Sequence, residues 1–148
     1  MRIVSTKKAA SQLQKIINKL GENGGIIATD TPETWWNLDV EIENISDNEK
    51  NIMIGLYMNL NDEIMFDPVF DITAIWEKNK ITEVIINSCT EETVLGRTVV
   101  DDNNMIHGFG RVEKDPYGLK KRFCSFMDGI TTIGPYLSTG RIIEKYDE

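Results

Sequence analysis

Hydrophobic and acidic residues alternate without interruption near position 40. The even positions are aliphatic and the odd positions are acidic: Leu38, Asp39, Val40, Glu41, Ile42 and Glu43. A period of two predicts a β-strand with one buried face and one face in water. Because like charges on neighbouring positions of a sheet repel, such a row lowers stability unless another group offsets it. The pattern therefore predicts an acid-faced β-sheet.

Four strands in meander order are predicted across the middle of the chain: Leu38–Ile45, Ile52–Leu60, Glu63–Phe66 and Val69–Trp76. Short polar segments separate them, and their Asn, Asp and Ser residues favour turns. The Asp67-Pro68 step predicts an edge or a bend, since proline has no amide hydrogen for a strand ladder. The same alternation places Tyr57 and Asp71 on the acidic face.

Less regular patterns predict a few further short strands: Ile26–Ala28, Ile81–Asn87 and Val94–Val100. The segment Met105–Gly110 is ambiguous between strand and loop. The tail Ser138–Tyr146 has room for one more short strand.

Two amphipathic helices are predicted, one near each end of the chain. From Thr6 to Leu20 aliphatic residues recur at helical spacing, and Ser5 or Thr6 can cap the first turn. Near the other end, Asp115-Pro116 predicts a helix start, with Asp as the cap and Pro at the first helical position. The predicted fold is a single α+β domain over residues 1–148. One antiparallel, meander-rich sheet of about five or six strands would pack against an N-terminal and a C-terminal helix.

The net charge of −8 is concentrated in one part of the chain. Residues 31–80 hold three Lys or Arg against eleven Asp or Glu, which equals the net charge of the whole protein. A negative field repels phosphate, so direct binding of nucleic acid is not expected there, whereas a basic protein partner is. The alternative is that the charge serves solubility alone.

The expected surroundings are cytoplasmic. No apolar run reaches the roughly 18 residues of a membrane span, and the first residues lack the apolar region of a secretory signal. Cys89 and Cys124 are too few for a disulfide framework and lack ligand-like spacing, so both are expected to be reduced thiols.

The predicted binding site is the acidic face itself: Asp39, Glu41, Glu43, Tyr57 and Asp71, with Trp35 and Trp36 beside it. Carboxylates two residues apart on a strand repeat at about 7 Å. That repeat is similar to the phosphate spacing of a nucleic-acid strand, so the face could imitate nucleic acid to a basic protein. A row this regular diverges too far to hold a metal ion, and neither a metal nor another cofactor is expected. The tryptophans are either interface anchors or the edge of the core.

Three alternatives remain open on sequence grounds. His107, the sole histidine, could act with a carboxylate or with Cys89 in a small hydrolase. A pocket between sheet and helices, lined by Trp76, Phe109 and Phe123, could bind a small ligand. Finally, a set of basic residues could form an anion-binding patch, a solvated surface or a set of ion-pair partners for the acidic sheet: Arg111, Lys114, Lys120, Lys121 and Arg122.

Two short runs carry a resemblance to a known family. The run Leu38-Asp39-Val40-Glu41-Ile42, followed by residues 56–70 with their Asp67-Pro68 step, is similar to a family of small uncharacterised proteins from phages, plasmids and other mobile elements. In that family a tight Asn-Gly-Asp-type turn precedes the Asp-Pro step, and here Asn61-Asp62-Glu63 stands in its place. The resemblance implies a mobile-element context, in which small acidic proteins often block host defence machinery. It implies no catalytic residue.

Overall fold

A computed structural model describes residues 2–31, 33–60, 63–93 and 96–143. These residues form ten β-strands and two α-helices. In chain order the elements are β1 (Ile3–Val4), α1 (Lys7–Leu20), β2 (Gly24–Ala28), β3 (Asn37–Asn44), β4 (Glu49–Leu60), β5 (Glu63–Glu77), β6 (Lys80–Thr93), β7 (Gly96–Val100), β8 (Met105–Gly108), β9 (Arg111–Lys114), α2 (Leu119–Asp128) and β10 (Arg141–Ile143). A π-helical turn, Gly129–Ile133, continues α2.

All ten strands belong to one antiparallel sheet. Its order is β10-β2-β3-β4-β5-β6-β7-β8-β9, so strands β2 to β9 lie beside their neighbours in sequence. Strand β1 lies outside this path and pairs with β6 through Ile3 opposite Ile86. The long strands β4, β5 and β6 form the centre, and both ends of the path are short strands.

The predicted α+β fold with five or six strands was therefore wrong. The sheet has ten strands, and short segments at both ends of the chain and after residue 95 extend it. Segments this short lack a strong alternating pattern, because strand preference depends on the neighbouring strand more than on the residues themselves. Backbone pairing with the edge of a large sheet stabilises these short strands, which their own sequences do not predict.

The Asp67-Pro68 step was predicted to mark an edge or a bend, and the ladder is irregular there, but the predicted strands Glu63–Phe66 and Val69–Trp76 form one strand. Strand β5 runs through it, and the ladder with β4 shifts register between Gly55 and Tyr57. The Asp67–Pro68 peptide bond is cis. A bulge leaves one residue outside the regular ladder with β4, and the ladder with β6 begins only at Val69, so a proline without an amide hydrogen fits at this point. The predicted turn at Asn61-Asp62 lies outside the described residues.

The hydrophobic core lies between the two helices and one face of the sheet. Helix α1 contributes Leu13 and Ile16, which are both fully buried. From α2, the ring of Phe123 contacts the ring of Phe70 on β5, with centroids 5.4 Å apart. The face of the sheet turned to the helices is lined by buried aliphatic side chains, including Leu38, Val40, Ile52, Ile54 and Ile72. Burial of this face fixes which side of each central strand points to the core.

The start of the C-terminal helix also differs from the prediction. Asp115 does not cap it, because α2 begins at Leu119, whose amide donates to Asn104 Oδ1 at 2.7 Å. Gly118 has a φ of 86° and redirects the chain just before the helix. The carboxylate of Asp115 instead accepts a hydrogen bond from Arg122 Nε at 2.6 Å. By contrast, α1 follows the prediction, with Thr6 Oγ1 accepting from the amide of Ala9.

Candidate binding face of the sheet

The face of the sheet opposite the helices, termed here the open face, carries the acidic row of β3. Leu38 and Val40 are buried in the core at 0% and 1% exposure. Successive side chains of a strand point to opposite faces, so the odd-numbered residues of β3 lie on the open face. Glu41 and Glu43 are exposed there, whereas Asp39 is buried.

Asp71 lies on the same face, two strands away from Glu41. The register places Glu41 opposite Met53 on β4, and Met53 opposite Asp71 on β5. With strands about 4.8 Å apart, the two carboxylates flank Met53 at a separation of about 10 Å. Asn87 Nδ2 donates to Asp71 Oδ1 at 3.2 Å and fixes its position.

A continuous groove crosses the open face. It consists of two cavities of about 790 and 440 Å³ that share Asp39, Glu41 and Met53. The larger cavity extends towards β2 and β10, and the smaller one extends across β4 and β5 to β6 and β7. We call the two cavities together the acidic groove. Its carboxylates are Asp39, Glu41, Glu43 and Glu92.

Among the described residues that line the acidic groove, Arg97 is the one lysine or arginine. Its guanidinium lies 3.2 Å from Glu92 Oε1 and offsets that charge. Glu41 and Glu43 take part in none of the ion pairs between described residues, so this part of the groove keeps a negative potential.

Gly55 forms the floor of the groove between Asp39 on β3 and Val69 on β5. A Cβ atom here would lie 2.6 Å from the carbonyl oxygen of Pro68 and 2.8 Å from a methyl group of Val69. Only glycine fits this approach. The groove was not predicted from the sequence, although a glycine such as Gly55 in the middle of an otherwise apolar strand indicates a close approach of another group.

Tyr57 lies on the open face by register but is not available to a partner. It is 1% exposed, and its ring packs against that of Phe66 at 5.6 Å. Asn37 Nδ2 approaches its hydroxyl at 3.5 Å. The side chain therefore serves packing at one end of the face.

The two tryptophans lie outside the acidic groove. The ring of Trp35 meets that of Tyr136 edge-on at 6.2 Å and packs against the core. The hydroxyl of Tyr136 donates to the carbonyl of Trp36. Trp36 lines a separate cavity of about 380 Å³ next to Tyr57. The structure thus does not bring these residues together with Glu41 and Glu43.

His107 is paired with Asp101, but the pair closes a turn. Nε2 of His107 lies 2.6 Å from Asp101 Oδ2, and this hydrogen bond is the main cause of a lowered pKa of Asp101. The other oxygen of Asp101 accepts from the amides of Asn103 and Met105, which stabilises the turn between β7 and β8. A carboxylate is therefore present beside the histidine, as one alternative predicted, and it also holds the backbone of this turn.

Cys89 and His107 do not form a thiol–imidazole pair. Cys89 is 1% exposed and belongs to the core, and burial raises the pKa of its thiol to about 12. His107 is exposed and pairs with Val99, one residue away from the Val100 that faces Cys89. The two side chains therefore point to opposite faces of the sheet. A thiol held protonated in this way is a poor nucleophile.

The residues predicted to line an aromatic pocket do not come together in the structure, and neither do those of the predicted basic patch. Phe123 is fully buried, whereas Phe109 is 61% exposed at the tip of the β8–β9 hairpin, and the Trp76 ring lies under Lys50 at 4.6 Å. Arg122 is engaged by Asp115 and Glu91. Lys120 and Lys121 line a surface cavity with Arg2, while Arg111 and Lys114 lie on β9.

Within the described residues, no group of three or more His, Cys, Asp or Glu side chains is arranged to hold a metal ion. In the same part of the chain, neither helix is long and apolar enough to cross a membrane. No family model, no curated protein and no solved structure matches this chain.

Proposed function

We propose that this protein is a non-enzymatic binding protein whose acidic groove docks onto a basic segment of a partner protein. The observation that supports this most directly is the groove itself, whose described lining holds four carboxylates and a single cation, Arg97. A cleft lined by one sign of charge focuses the electrostatic field and speeds the approach of an oppositely charged partner. The exposed Met53 between Glu41 and Asp71 adds an adaptable apolar contact.

The spacing of the carboxylates favours an extended basic segment. Glu41 and Glu43 are two residues apart on a strand, so they repeat at about 6.8 Å. An extended peptide presents alternate side chains at the same repeat. Lys or Arg at every second position would therefore meet the two glutamates in turn. A protein that binds nucleic acid displays such cations to phosphates and is the partner class we favour.

The proposed setting is the cytoplasm of a host cell carrying a mobile element, where the protein would block a nucleic-acid-handling protein. Support for a reducing compartment comes from the cysteines, since Cys89 and Cys124 are both free thiols. Support for the mobile-element context is the resemblance in residues 38–42 and 56–70.

The first test uses synthetic peptides of equal charge. One has Arg at alternate positions, and the other has the same arginines in one contiguous block. Glu41→Gln/Glu43→Gln should weaken binding of the alternating peptide at least tenfold and flatten its salt dependence, because two of the groove charges are gone.

The matched control is Glu22→Gln/Glu77→Gln, which removes two exposed charges that do not line the groove. It should leave the Kd within about twofold. Equal weakening in both double variants would mean that net charge alone governs binding. Equal affinity for the two peptides would contradict the proposed spacing.

A further inference from the structure

Strand β9 ends the sheet with a row of outward backbone groups. It follows β8 in the strand order, and no described strand lies on its other side. The amide of Asp115 donates to the carbonyl of Asn104, in line with the register of Met105 opposite Lys114. Hydrogen-bonded pairs alternate along an antiparallel ladder, so the next such pair is Ile106 with Glu113. The N–H and C=O of Val112 therefore point to the free edge.

The side chains of β9 have a distinctive order. Arg111 and Glu113 share one face of the sheet, and Val112 lies between them on the open face, opposite His107. Val112 is 61% exposed. None of the ion pairs between described residues involves Arg111 or Glu113.

The turn before β9 adds a second exposed apolar side chain at an unfavourable position. Phe109 is also 61% exposed, and its φ is 54°. An aromatic residue rarely adopts this left-handed conformation, where Gly, Asn or Asp is usual. Backbone strain and exposed hydrophobic area at one hairpin are features of interaction sites.

We propose that β9 pairs antiparallel with β9 of a second copy of this chain, about a two-fold axis at Val112. In this register Val112 exchanges both backbone hydrogen bonds with Val112 of the partner subunit. Arg111 then lies opposite Glu113 of the partner subunit, and Glu113 opposite Arg111 of the partner subunit. The interface is self-complementary, as a two-fold interface requires.

The charges select this register over its neighbours. A shift by two residues is the smallest that again sets outward backbone groups opposite each other, and it would place either Arg111 opposite Arg111 of the partner subunit or Glu113 opposite Glu113 of the partner subunit. Like charges directly opposite each other destabilise a strand pair. Charged side chains on a short edge strand usually prevent pairing with other chains. Here they disfavour both shifted registers and favour the one centred on Val112.

The dimer would carry two acidic grooves on one side. Two antiparallel strands of one sheet keep their faces on the same side, so the open faces of both copies would form one continuous surface. A partner with two basic segments would then bind with higher avidity. The proposal of a dimer does not depend on which partner the acidic groove binds.

Charge reversal at two positions tests the register. The wild-type protein should dimerise in sedimentation equilibrium, and Arg111→Glu or Glu113→Arg alone should raise the dimer Kd at least tenfold. A mixture of the two single variants should dimerise again, because every facing pair is then opposite in charge. The double variant Arg111→Glu/Glu113→Arg should also dimerise.

A wild-type protein that stays monomeric over the whole concentration range would overturn the proposal, as would dimers that persist in both single variants. Thermal unfolding of each variant identifies any that has lost its fold. A dimer lost in the double charge-swapped variant, with folding intact, would likewise contradict the pairing.

Cross-linking supplies an independent measure in a Cys124→Ser background. In the proposed register two Val112→Cys residues have Cα atoms about 5.5 Å apart, within disulfide reach. Two Arg111→Cys residues are offset along the strands and lie about 8 Å apart, beyond that reach. Efficient oxidation of Val112→Cys but not of Arg111→Cys is expected, and the reverse pattern would rule out this register.

Discussion

The two faces of this sheet are built from the same strands and have opposite properties. On β4, Ile54 is fully buried under the helices, while its neighbour Met53 is 36% exposed in the acidic groove. One face determines the fold through apolar burial, and the other is left free to carry charge. The sequence alternation that stabilises the first face therefore creates the second without further cost to the core.

The outer surface of the helix layer differs from the open face in the sign of its charge. Helix α1 contains four lysines and no acidic residue, and three of the lysines are exposed: Lys7, Lys8 and Lys15. The net charge of −8 is thus unevenly distributed, with exposed lysines on α1 and carboxylates in the acidic groove. Such a charge distribution orients an approaching partner before contact.

The largest expected difference between the faces comes from truncating one side chain on each. Ile54→Ala should lower the free energy of unfolding by about 2–5 kcal/mol, because it leaves a cavity in the core. Met53→Ala should cost less than about 1 kcal/mol, since this side chain is already in contact with water. Urea unfolding measures both. Similar losses for the two variants would contradict the division into a structural and a free face.

A smaller effect is expected at the charged anchor on the helix side. Arg122 donates to Asp115, and this hydrogen bond is the main cause of a lowered pKa of the nearly buried carboxylate. Asp115→Asn should lower the free energy of unfolding at pH 7 by about 1.5–3 kcal/mol, the value of a hydrogen bond to a charged group.

The sign of the pH dependence follows from the lowered pKa of Asp115. Its ionised form stabilises the folded state above the unfolded pKa of about 3.9, and this contribution is lost as the pH falls through the lower folded value. The difference between wild type and Asp115→Asn should therefore shrink below about pH 4. Asp30→Asn, which removes an exposed partner of Arg141, is the control and should change stability by under about 0.5 kcal/mol. A difference independent of pH would exclude the ion pair as its cause.

The smallest effect on stability is expected for the acidic row. Glu41→Gln/Glu43→Gln should change the free energy of unfolding by no more than about 0.5 kcal/mol, with a gain at low salt because repulsion along the row is relieved. Thermal unfolding at two salt concentrations measures this. A large loss would mean that these carboxylates stabilise the fold and are not reserved for binding.

Local patterns were sufficient to predict some elements. Helix α1 and strand β3 appear within one residue of the predicted bounds, because a strong period of 3.6 or 2 leaves few alternatives. The orientation of Glu41 and Glu43 followed from the same alternation. The predicted site was less complete, since the groove also depends on Gly55 and on Arg97, which is distant in sequence.

Other features depended on neighbours that no local pattern reveals. Tyr57 has the right parity for the open face, yet Phe66 and Asn37 bury it. The strands predicted on either side of Asp67-Pro68 are one strand, because a bulge accommodates Pro68 within β5. Strands β8 and β9 are four residues each and gain their stability from the edge of the sheet.

The charge, the amphipathic helix α1 and the two-sided character of the central strands follow from the order of residue types along the chain. These properties rest on residue type and on periodicity, which act between near neighbours. Tertiary structure alone decided the number of strands, the groove and the outward groups of β9. Each of these arises from pairing between segments far apart in the chain, where backbone hydrogen bonds and close packing outweigh the preference of any single residue.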